Sequence, residues 1–279
     1  MSDSEIVLLG TGSPLPDPNR AGPSTLIRGG ISNVLCDAGR GVVMRLAAVG
    51  VIPPFLSGVI LTHLHSDHIS DLNDVITTYW VMSGEPTPLP IYGPAGTRDV
   101  VQGILDMLRP DISYRVAHHD DLLEGPQVEV HEVAAGDEFT VGDYRVVVGE
   151  SNHRPVEPTV AYRCEREGVS IVLGGDGIPC ESLDNLLIGA DAYVQTVIRE
   201  DLVKLVPRQR FQDILDYHST VGQAADTAER AGVRTLVLTH YVPAPPLGHY
   251  DEWRELAGGF TGQLVMGDDL TTVTVAARG

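Results

Sequence analysis

The sequence predicts a strand-rich α/β protein whose elements stack in layers, with the whole chain, residues 1–279, forming one domain. Three observations lead to this fold class. Short apolar runs rich in Val, Ile and Thr recur along the chain and are bounded by Gly, Pro or Asp, as strands are. Between some of them, apolar residues recur every three or four positions, which indicates helices. Hydrophobic residues make up 43% and charged residues 20% of the chain, which excludes a disordered or fibrous protein.

Eleven apolar runs are predicted to be strands. Several of them, such as 169–175, are apolar almost without a break, which indicates a sheet that is covered on both faces. The predicted strands are 5–10, 33–39, 57–63, 88–93, 127–133, 144–150, 159–164, 169–175, 190–197, 234–240 and 271–277.

Four stretches between the strands have helical spacing. They cover 42–49, 70–82, 97–108 and 220–231. The first ends near Gly50, and the third is closed by Pro110, because proline interrupts the hydrogen bonding of a helix. The fourth has Ser219-Thr220 as its candidate cap and stops at Gly232, since these residue types favour the two ends of a helix.

Charge and cysteine content indicate which partners and which cell compartment to expect. Lys and Arg number 19 against 38 Asp and Glu, a balance of −19, so a general affinity for nucleic acid or an anionic membrane is not expected. No apolar run is long enough to span a membrane, and the N-terminus lacks the pattern of a signal peptide. Cys36, Cys164 and Cys180 include no CxxC pair, which favours reduced, inert thiols and a cytoplasmic protein.

One short segment carries the strongest chemical signal. Three histidines and one aspartate, His63, His65, Asp67 and His68, fall within six residues directly after an apolar run. Imidazole and carboxylate are the ligands that zinc and similar divalent ions prefer. Four such groups converging in an apolar interior would be costly without a cation. The segment therefore predicts a metal site rather than a polar loop.

Three further strand ends run into potential ligands. His153 follows 144–150, Asp176 follows 169–175, and His240 ends 234–240. One metal ion needs about four ligands, and two ions need more. We therefore expect these residues to join the first cluster.

These residues and their order resemble the metallo-β-lactamase superfamily. HLHSDH, at 63–68, matches that superfamily's HxHxDH motif, and LLGTGSP, VLCDAG and GGD also follow its order along nearly the whole chain. Within the superfamily, LGTGSPLPDPNRAGPST and the later HSTVGQAA resemble the ribonuclease Z-like branch. That branch includes tRNA 3′-processing enzymes, cyclic-nucleotide phosphodiesterases and arylsulfatases.

The resemblance implies an αββα sandwich with a dinuclear site at one edge. It implies that His63, His65 and His153 hold one divalent ion, that Asp67, His68 and His240 hold the second, and that Asp176 bridges them. Zinc is the usual metal, with manganese or iron as the other candidates. It also implies a hydrolase, and a homodimer is usual in the branch. Two cations lower the pKa of a water molecule and stabilise an anionic transition state, and Asp67 can orient that water.

His218 is not needed for either ligand set. In the resembling branch, a histidine at this position stabilises or protonates the leaving oxygen, so we expect His218 to be catalytic. Asp37 is expected to orient the loops of the metal site. The remaining candidates favour structural roles: His118 and His119 are expected in a solvated loop after a weak strand, and His131 in a strand. His249 receives no assignment.

The primary hypothesis is a metal-dependent hydrolase that cleaves phosphodiester or sulfate esters, including aryl esters, of a small molecule. The alternatives are a tRNA 3′-processing endonuclease, a lactone or thioester hydrolase of the same fold, and a diiron redox scaffold. The HxHxDH pattern disfavours the last.

Three observations lead us to expect that the chain is not an efficient tRNA processor and that nucleic acid is an unlikely partner. Only residues 154–175 separate His153 from Asp176, which leaves no room for a long RNA-gripping arm. The stretch Tyr193-Val194-Gln195-Thr196-Val197 aligns with the segment in which such enzymes carry an acidic partner for the catalytic histidine, and it contains no acidic residue. The third observation is the acidic charge balance, which provides little long-range attraction for RNA.

Overall fold

The computed structural model describes residues 3–277, and within that range the strands form two seven-stranded sheets. The strands are β1 (Ser4–Gly10), β2 (Ser24–Gly29), β3 (Ser32–Cys36), β4 (Gly58–Ile60), β5 (Leu89–Gly93), β6 (Val128–Glu132), β7 (Glu138–Val141), β8 (Tyr144–Glu150), β9 (Val160–Arg166), β10 (Val169–Leu173), β11 (Ala192–Ile198), β12 (Thr235–Val242), β13 (Gln263–Met266) and β14 (Thr272–Val275). The helices are α1 (Val42–Ala48), α2 (Ser66–Ile69), α3 (Leu72–Met82), α4 (Thr97–His118), α5 (Glu181–Leu187), α6 (Glu200–Val203), α7 (Gln209–Gln212), α8 (Val221–Arg230) and α9 (Asp251–Glu255). Short 3-10 turns cover Pro53–Phe55 and Asp213–Asp216.

The two sheets have the same plan. The first has the order β14-β1-β2-β3-β4-β5-β6, and the second has the order β13-β12-β11-β10-β9-β8-β7. In each sheet, antiparallel pairs at one side give way to parallel pairs at the other, β3 to β6 in the first and β10 to β13 in the second. Parallel strands bring their carboxyl ends to one edge of the sheet, and loops at that edge can converge on a single site.

Alternate residues of the central strands fill different cores. In β1, Ile6 and Leu8 face a core between the two sheets, whereas Val7 and Leu9 pack under α1 and α3. A separate cluster packs the outer face of the second sheet against α5, α8 and α9. A strand with both faces buried needs apolar residues at every position, which explains the unbroken runs in the sequence. The predicted single-domain αββα sandwich is thus confirmed.

The eleven predicted strands are all present, with ends shifted by a few residues. Three further strands, β2, β7 and β13, were not predicted. Of these, β7 and β13 are four-residue strands at the edges of their sheets, and both are partly exposed, so neither has a long apolar run. The third, β2, follows the Gly/Pro-rich segment 10–23, which conceals its start.

The prediction that Pro110 closes the third helix is wrong. The helix α4 continues through Pro110 to His118, for 22 residues. A proline in a helix removes one hydrogen bond and crowds the preceding turn, but the cost is local and a long helix can absorb it. His118 is therefore the last residue of α4 rather than part of a loop after a strand, although His118 and His119 are exposed as expected.

The helix α8 begins as predicted. The Oγ1 atom of Thr220 accepts a hydrogen bond from the backbone N–H of Gln223, and the Gln223 side chain accepts one from the Thr220 N–H. This reciprocal pair satisfies two N–H groups that the first turn of a helix leaves free. Because Thr220 is fixed in this way, His218, two residues before it, is held at a defined point next to the helix start.

No helix within residues 3–277 combines the length and the apolar character that crossing a membrane requires.

Candidate active site

The predicted site residues lie at one edge of the sandwich, beyond the carboxyl ends of four strands. The 63–68 segment follows β4, Asp176 follows β10, and His240 lies near the end of β12. His153 follows β8, which runs in the same direction as β10 because both are antiparallel to β9. The topology thus brings together residues that are up to 177 positions apart in sequence, from His63 to His240.

The HLHSDH segment changes from strand to helix within a few residues. His63 lies in the extended segment after β4, and His65 occupies the cap position of α2 with extended backbone angles. Asp67 and His68 belong to α2 itself and are buried. Two ligands on an extended segment and two on a helical turn can face one point from different directions.

The seven residues form two adjoining groups. His63, His65, His153 and Asp176 make up one, and Asp67, His68 and His240 make up the other; within each, the potential ligand atoms lie within 4.8 Å of one another. The Oδ2 atom of Asp176 is 3.9 Å from Nε2 of both His63 and His153. It is also 3.5 Å from Nε2 of His68 and 3.6 Å from Nε2 of His240. Asp176 therefore lies between the two groups.

The outer nitrogens of three histidines are fixed by hydrogen bonds. His153 Nδ1 donates to the carbonyl of Tyr217 at 2.8 Å, and His68 Nδ1 donates to Oδ2 of Asp37 at 2.8 Å. His63 Nδ1 donates to Oγ1 of Thr62 at 3.0 Å, since that hydroxyl gives its own proton to Asp37. A ring that donates through Nδ1 presents a lone pair at Nε2, which is the atom that faces the cluster.

Burial and charge set the protonation of the cluster. Burial lowers the pKa of His153 to about 4, and burial together with the neighbouring His68 holds the pKa of His63 well below its ordinary value. Both rings are therefore neutral at neutral pH, which is the form that binds metal. Burial alone would raise the pKa of Asp176, but the nearby His240 and His68 hold it well below the ordinary value of a carboxyl. Asp176 is thus an anion in the interior.

The arrangement fits divalent cations. His65 Nδ1 lies 3.0 Å from Nε2 of His63 and 3.4 Å from Nε2 of His153, so the lone pairs of His63 and His153 face the same nitrogen of His65. Among the described residues, the buried His68 Nε2 and Asp176 Oδ1 have no hydrogen-bond partner. Buried polar atoms without a partner are costly, and a cation among them would remove that cost. Nitrogen and carboxylate oxygen together are the donor set of zinc and similar ions.

Two local distortions of the backbone orient His240 and Asp176 toward the cluster. In β12, one extra residue lies opposite β11 between Thr239 and Val242, and His240 there has a φ of +51°. Such a bulge redirects a side chain out of the regular alternation. Before Asp176, Gly175 has a φ of +64°, and a Cβ atom there would lie 2.9 Å from Cβ of Thr62. Only glycine allows this turn to pass so close to the loop that carries His63.

His218 lies beside the cluster but outside both groups. Its Nδ1 is 3.0 Å from the carbonyl of Ile214, and its Nε2 is 3.2 Å from Oδ2 of Asp176. Both ring nitrogens thus face oxygen acceptors, an arrangement that a protonated imidazole satisfies with two N–H donors. Gln195, at the position of the missing acidic partner, bonds instead to Tyr193 and to the carbonyls of Gly175 and Thr196.

The other histidines lie elsewhere. His118, His119 and His249 are exposed, and His131 is a residue of β6 whose ring stacks on Tyr92. Tyr241, Tyr250 and Trp253, which follow His240 in the sequence, are buried in the core between the second sheet and the outer helices. Cys36 and Cys164 are buried free thiols, and burial raises the pKa of Cys164 to about 12, so both are inert.

Of the groups that fix the candidate ligands in place, sequence reasoning identified Asp37 and missed the others. Asp37 was expected to orient the loops, and it accepts from the Thr62 N–H, the Thr62 hydroxyl and His68 Nδ1. Thr62 itself was not singled out, although it precedes His63 directly. The carbonyls of Ile214 and Tyr217 carry no signal in the sequence, because every residue has a carbonyl.

Fold and site together define a metallo-β-lactamase-type hydrolase, and comparison with known proteins agrees. The family model described as "Beta-lactamase superfamily domain" matches residues 32–241, more than half of the chain, and the chain belongs to that superfamily. The crystal structure of a metallo-beta-lactamase fold protein from Bacillus subtilis superposes with a TM-score of 0.75 at 21% identity, covering 98% of this chain and 100% of the other. The chain is a metal-dependent hydrolase of this fold.

The relatives support the ribonuclease Z-like branch of that superfamily. A protein of Mycobacterium bovis (strain BCG / Pasteur 1173P2) named "Ribonuclease Z" is 54% identical over 98% of this chain and 99% of its own length. A protein of Mycobacterium avium (strain 104) with the same name is also 54% identical, over 98% of this chain and 99% of its own length. The structure of the short form of human tRNase Z has a TM-score of 0.71 at 21% identity, covering 98% of this chain and 99% of that one.

These relatives contradict the expectation that nucleic acid is an unlikely partner. That expectation was drawn from the charge balance, the short 154–175 segment and Gln195. Net charge describes the whole surface, whereas RNA binding depends on local cations, so an acidic chain can still act on RNA. The relatives also match over almost their entire length, so they too leave little room for an inserted arm.

Proposed function

We propose that this protein is a tRNA 3′-processing endonuclease that hydrolyses a phosphodiester bond of precursor tRNA. The observation that carries the proposal is the 54% identity to proteins named "Ribonuclease Z", which extends over 98% of this chain. The site geometry supports it, since a two-group cluster of His and Asp suits two divalent ions and a phosphodiester. This proposal replaces the primary hypothesis of a small ester substrate.

The ligands are proposed to be those that the structure brings together. His63, His65 and His153 would hold one ion, Asp67, His68 and His240 the other, and Asp176 would contact both. Zinc suits this donor set, and manganese and iron are the other candidates. When bound, two such ions supply an activated water and neutralise charge that develops on the phosphate.

The protein's own groups then handle protons and orientation. Asp67, whose Oδ2 lies 3.3 Å from Nε2 of His240, is placed to accept a hydrogen bond from the attacking water and so to orient it. Water oxygen bonds to phosphorus as the bond from phosphorus to the leaving ribose oxygen breaks. His218, with both nitrogens facing acceptors, is placed to give that oxygen the proton it needs, and a proton from the water restores the ring.

The test compares two substrates under one metal. Purified protein with zinc or manganese is given precursor tRNA carrying a labelled 3′ trailer and, separately, bis(p-nitrophenyl) phosphate. We expect removal of the trailer at one position, with a kcat/KM well above that for the small diester. Hydrolysis of the small diester without cleavage of the precursor would contradict the proposal and restore the small-substrate hypothesis.

A further inference from the structure

The surface segment 199–217 links β11 to His218 and is anchored to the site at both ends. At its start, the Arg199 N–H donates to the carbonyl of Val242, two residues after His240, at 2.8 Å. At its end, the carbonyls of Ile214 and Tyr217 accept from His218 and His153. We call residues 199–217 the β11–α8 connection.

A small apolar cluster fixes the base of this connection. Ile198, Val203 and Val242 are buried together, and Ile214 and Leu215 pack against them. Between these anchors, residues 204–210 are all exposed. The tip is therefore a solvent-facing segment on a base that is continuous with the catalytic centre.

The exposed tip has a charge opposite to that of the whole molecule. Residues 204–210, KLVPRQR, contain three cations and no carboxylate, whereas the chain as a whole has a balance of −19. Such a reversal of charge beside the site provides a local attraction for an anion that the net charge does not provide.

Two arginines of the tip keep their donors free. Among the cations within residues 3–277, those that form no ion pair with a carboxylate within 4.0 Å are Arg40, Arg98, Arg208, Arg210 and Arg254. Of these, Arg40, Arg98 and Arg254 donate to backbone carbonyls. Arg208 and Arg210 show no side-chain hydrogen bond, and Arg210 lies over the ring of its neighbour Phe211. A guanidinium without protein partners has five N–H donors for a ligand.

The distance suits a substrate bound in the site. Arg210 precedes His218 by eight residues of mostly helical chain, and a rise of about 1.5–2 Å per residue separates their Cα atoms by roughly 12–16 Å. A nucleic acid has charged phosphates every few ångströms along its length, so phosphates near the scissile bond lie within this reach.

We propose that Arg208 and Arg210 bind phosphates of the RNA substrate flanking the cleaved bond. The β11–α8 connection would thus be an RNA-binding element in a chain without room for a long arm between His153 and Asp176. This inference rests on the proposed function, since it assumes that the substrate is RNA. The contacts are to backbone phosphate, so they contribute affinity and position without reading sequence.

The test is the double variant Arg208→Ala/Arg210→Ala, assayed on precursor tRNA over a range of salt. We expect KM to rise about 10-fold at low salt with kcat within about 2-fold of the original. The slope of log KM against log salt should fall by about 1.4–1.8, the loss of two phosphate contacts. Hydrolysis of bis(p-nitrophenyl) phosphate should be unchanged. Arg208→Lys/Arg210→Lys should retain most of the affinity, because a backbone phosphate also binds lysine and the salt-dependent part of the affinity depends on charge.

The matched control removes two exposed arginines that lie outside the β11–α8 connection. Arg109 lies well along α4 and forms an exposed ion pair with Asp106, and Arg230 ends α8, where it binds Asp184 and the hydroxyl of Thr227. Arg109→Ala/Arg230→Ala makes the same change in net charge and should leave KM and the salt slope as they were. If the tip variant matches this control on RNA, or loses activity on the small diester in equal proportion, the inference is wrong. If the unaltered protein neither binds nor cleaves precursor tRNA, the proposed function fails and the inference fails with it.

Discussion

Asp176 is the residue on which the other side chains of the site converge. Its Oδ2 atom lies between 3.2 and 3.9 Å from Nε2 of five histidines, namely His63, His68, His153, His218 and His240. The carboxylate is 1% exposed, and its neighbours hold its pKa well below the ordinary value. Its second oxygen has no hydrogen-bond partner among the described residues. A buried anion with a free oxygen among imidazoles is the arrangement from which we propose that Asp176 is shared by two cations.

Replacing His240 should remove one metal ion rather than both. His240 belongs to the group of Asp67 and His68, whereas the other group keeps His63, His65, His153 and Asp176. We expect His240→Ala to lose about one equivalent of metal by elemental analysis. The exposed His249→Ala serves as the control and should keep full occupancy. Retention of both ions in His240→Ala would remove His240 from the ligand set.

Replacing His218 should impair chemistry without impairing metal binding. It lies outside both ligand groups, so His218→Ala should fold and keep its metal. Turnover of an RNA or alkyl phosphodiester should fall about 10²–10⁴-fold, the usual contribution of a general acid. The loss should be smaller for bis(p-nitrophenyl) phosphate, whose leaving group needs little protonation. His131→Ala serves as the control. If His218→Ala turns over the RNA or alkyl phosphodiester as fast as the original protein does, His218 is structural.

The seven candidate ligands could be predicted from sequence because imidazole and carboxylate carry their chemistry in the residue type. The groups that hydrogen-bond to these side chains could not be predicted from the sequence. The carbonyls that fix His153 and His218 belong to residues whose identity does not matter for that contact. The bulge that turns His240 toward the site depends on the register between β11 and β12, which no local pattern encodes.

At the level of elements, strand ends determine where the chemistry lies. Apolar strands β4, β8, β10 and β12 each run into a polar residue, and their common direction places those residues at one edge. The apolar runs made these strands predictable. Short edge strands such as β7 and β13 were not, because so few of their side chains face a core.

The helix α4 gives a prediction about stability. Pro110 is exposed within this helix, where its ring removes one hydrogen bond and crowds the preceding turn. Pro110→Ala should therefore stabilise the folded protein, by up to about 3 kcal/mol if the helix has not relaxed around the ring. Denaturant unfolding measures the change.

The control for this prediction is a proline outside any helix. Pro16 lies in an exposed loop, and Pro16→Ala should change stability little or lower it by under about 1 kcal/mol, through the freedom gained by the unfolded chain. A Pro110→Ala variant that is no more stable than the original would show that α4 accommodates the proline without cost.

At the scale of the whole molecule, the metal site should join the two sheets. The candidate ligands come from loops of the first sheet, through the 63–68 segment, and of the second, through His153, Asp176 and His240. Ions that bind only the folded state stabilise it by mass action, about 4 kcal/mol at a thousandfold excess over Kd. Chelation should thus lower the melting temperature by roughly 10 °C in a protein of this size.

The control for the chelation experiment is to restore the metal after it has been removed. Adding back zinc should restore the melting temperature of the original protein, and the shift should be smaller in His240→Ala, which is expected to hold fewer ions. An unchanged melting temperature after elemental analysis has shown the metal to be gone would contradict a site that links the sheets.

Whole-molecule properties predicted the fold better than the substrate. Composition and periodicity indicated a layered α/β domain, because every buried strand needs apolar residues. Net charge indicated the wrong partner, because a sum over the chain hides a cationic segment such as 204–210. Substrate choice depends on a few exposed side chains, and the sequence does not say which of its charges are already paired.

The most direct test of hydrolysis by an activated water is to cleave precursor tRNA in water enriched in oxygen-18 and to measure the masses of the products by mass spectrometry. If the site activates water against an RNA phosphodiester, the phosphate-bearing product of a single turnover carries one heavy oxygen. No 2′,3′-cyclic phosphate should form, because the ribose 2′-hydroxyl takes no part. A cyclic phosphate end, or a phosphate without heavy oxygen, would contradict the account.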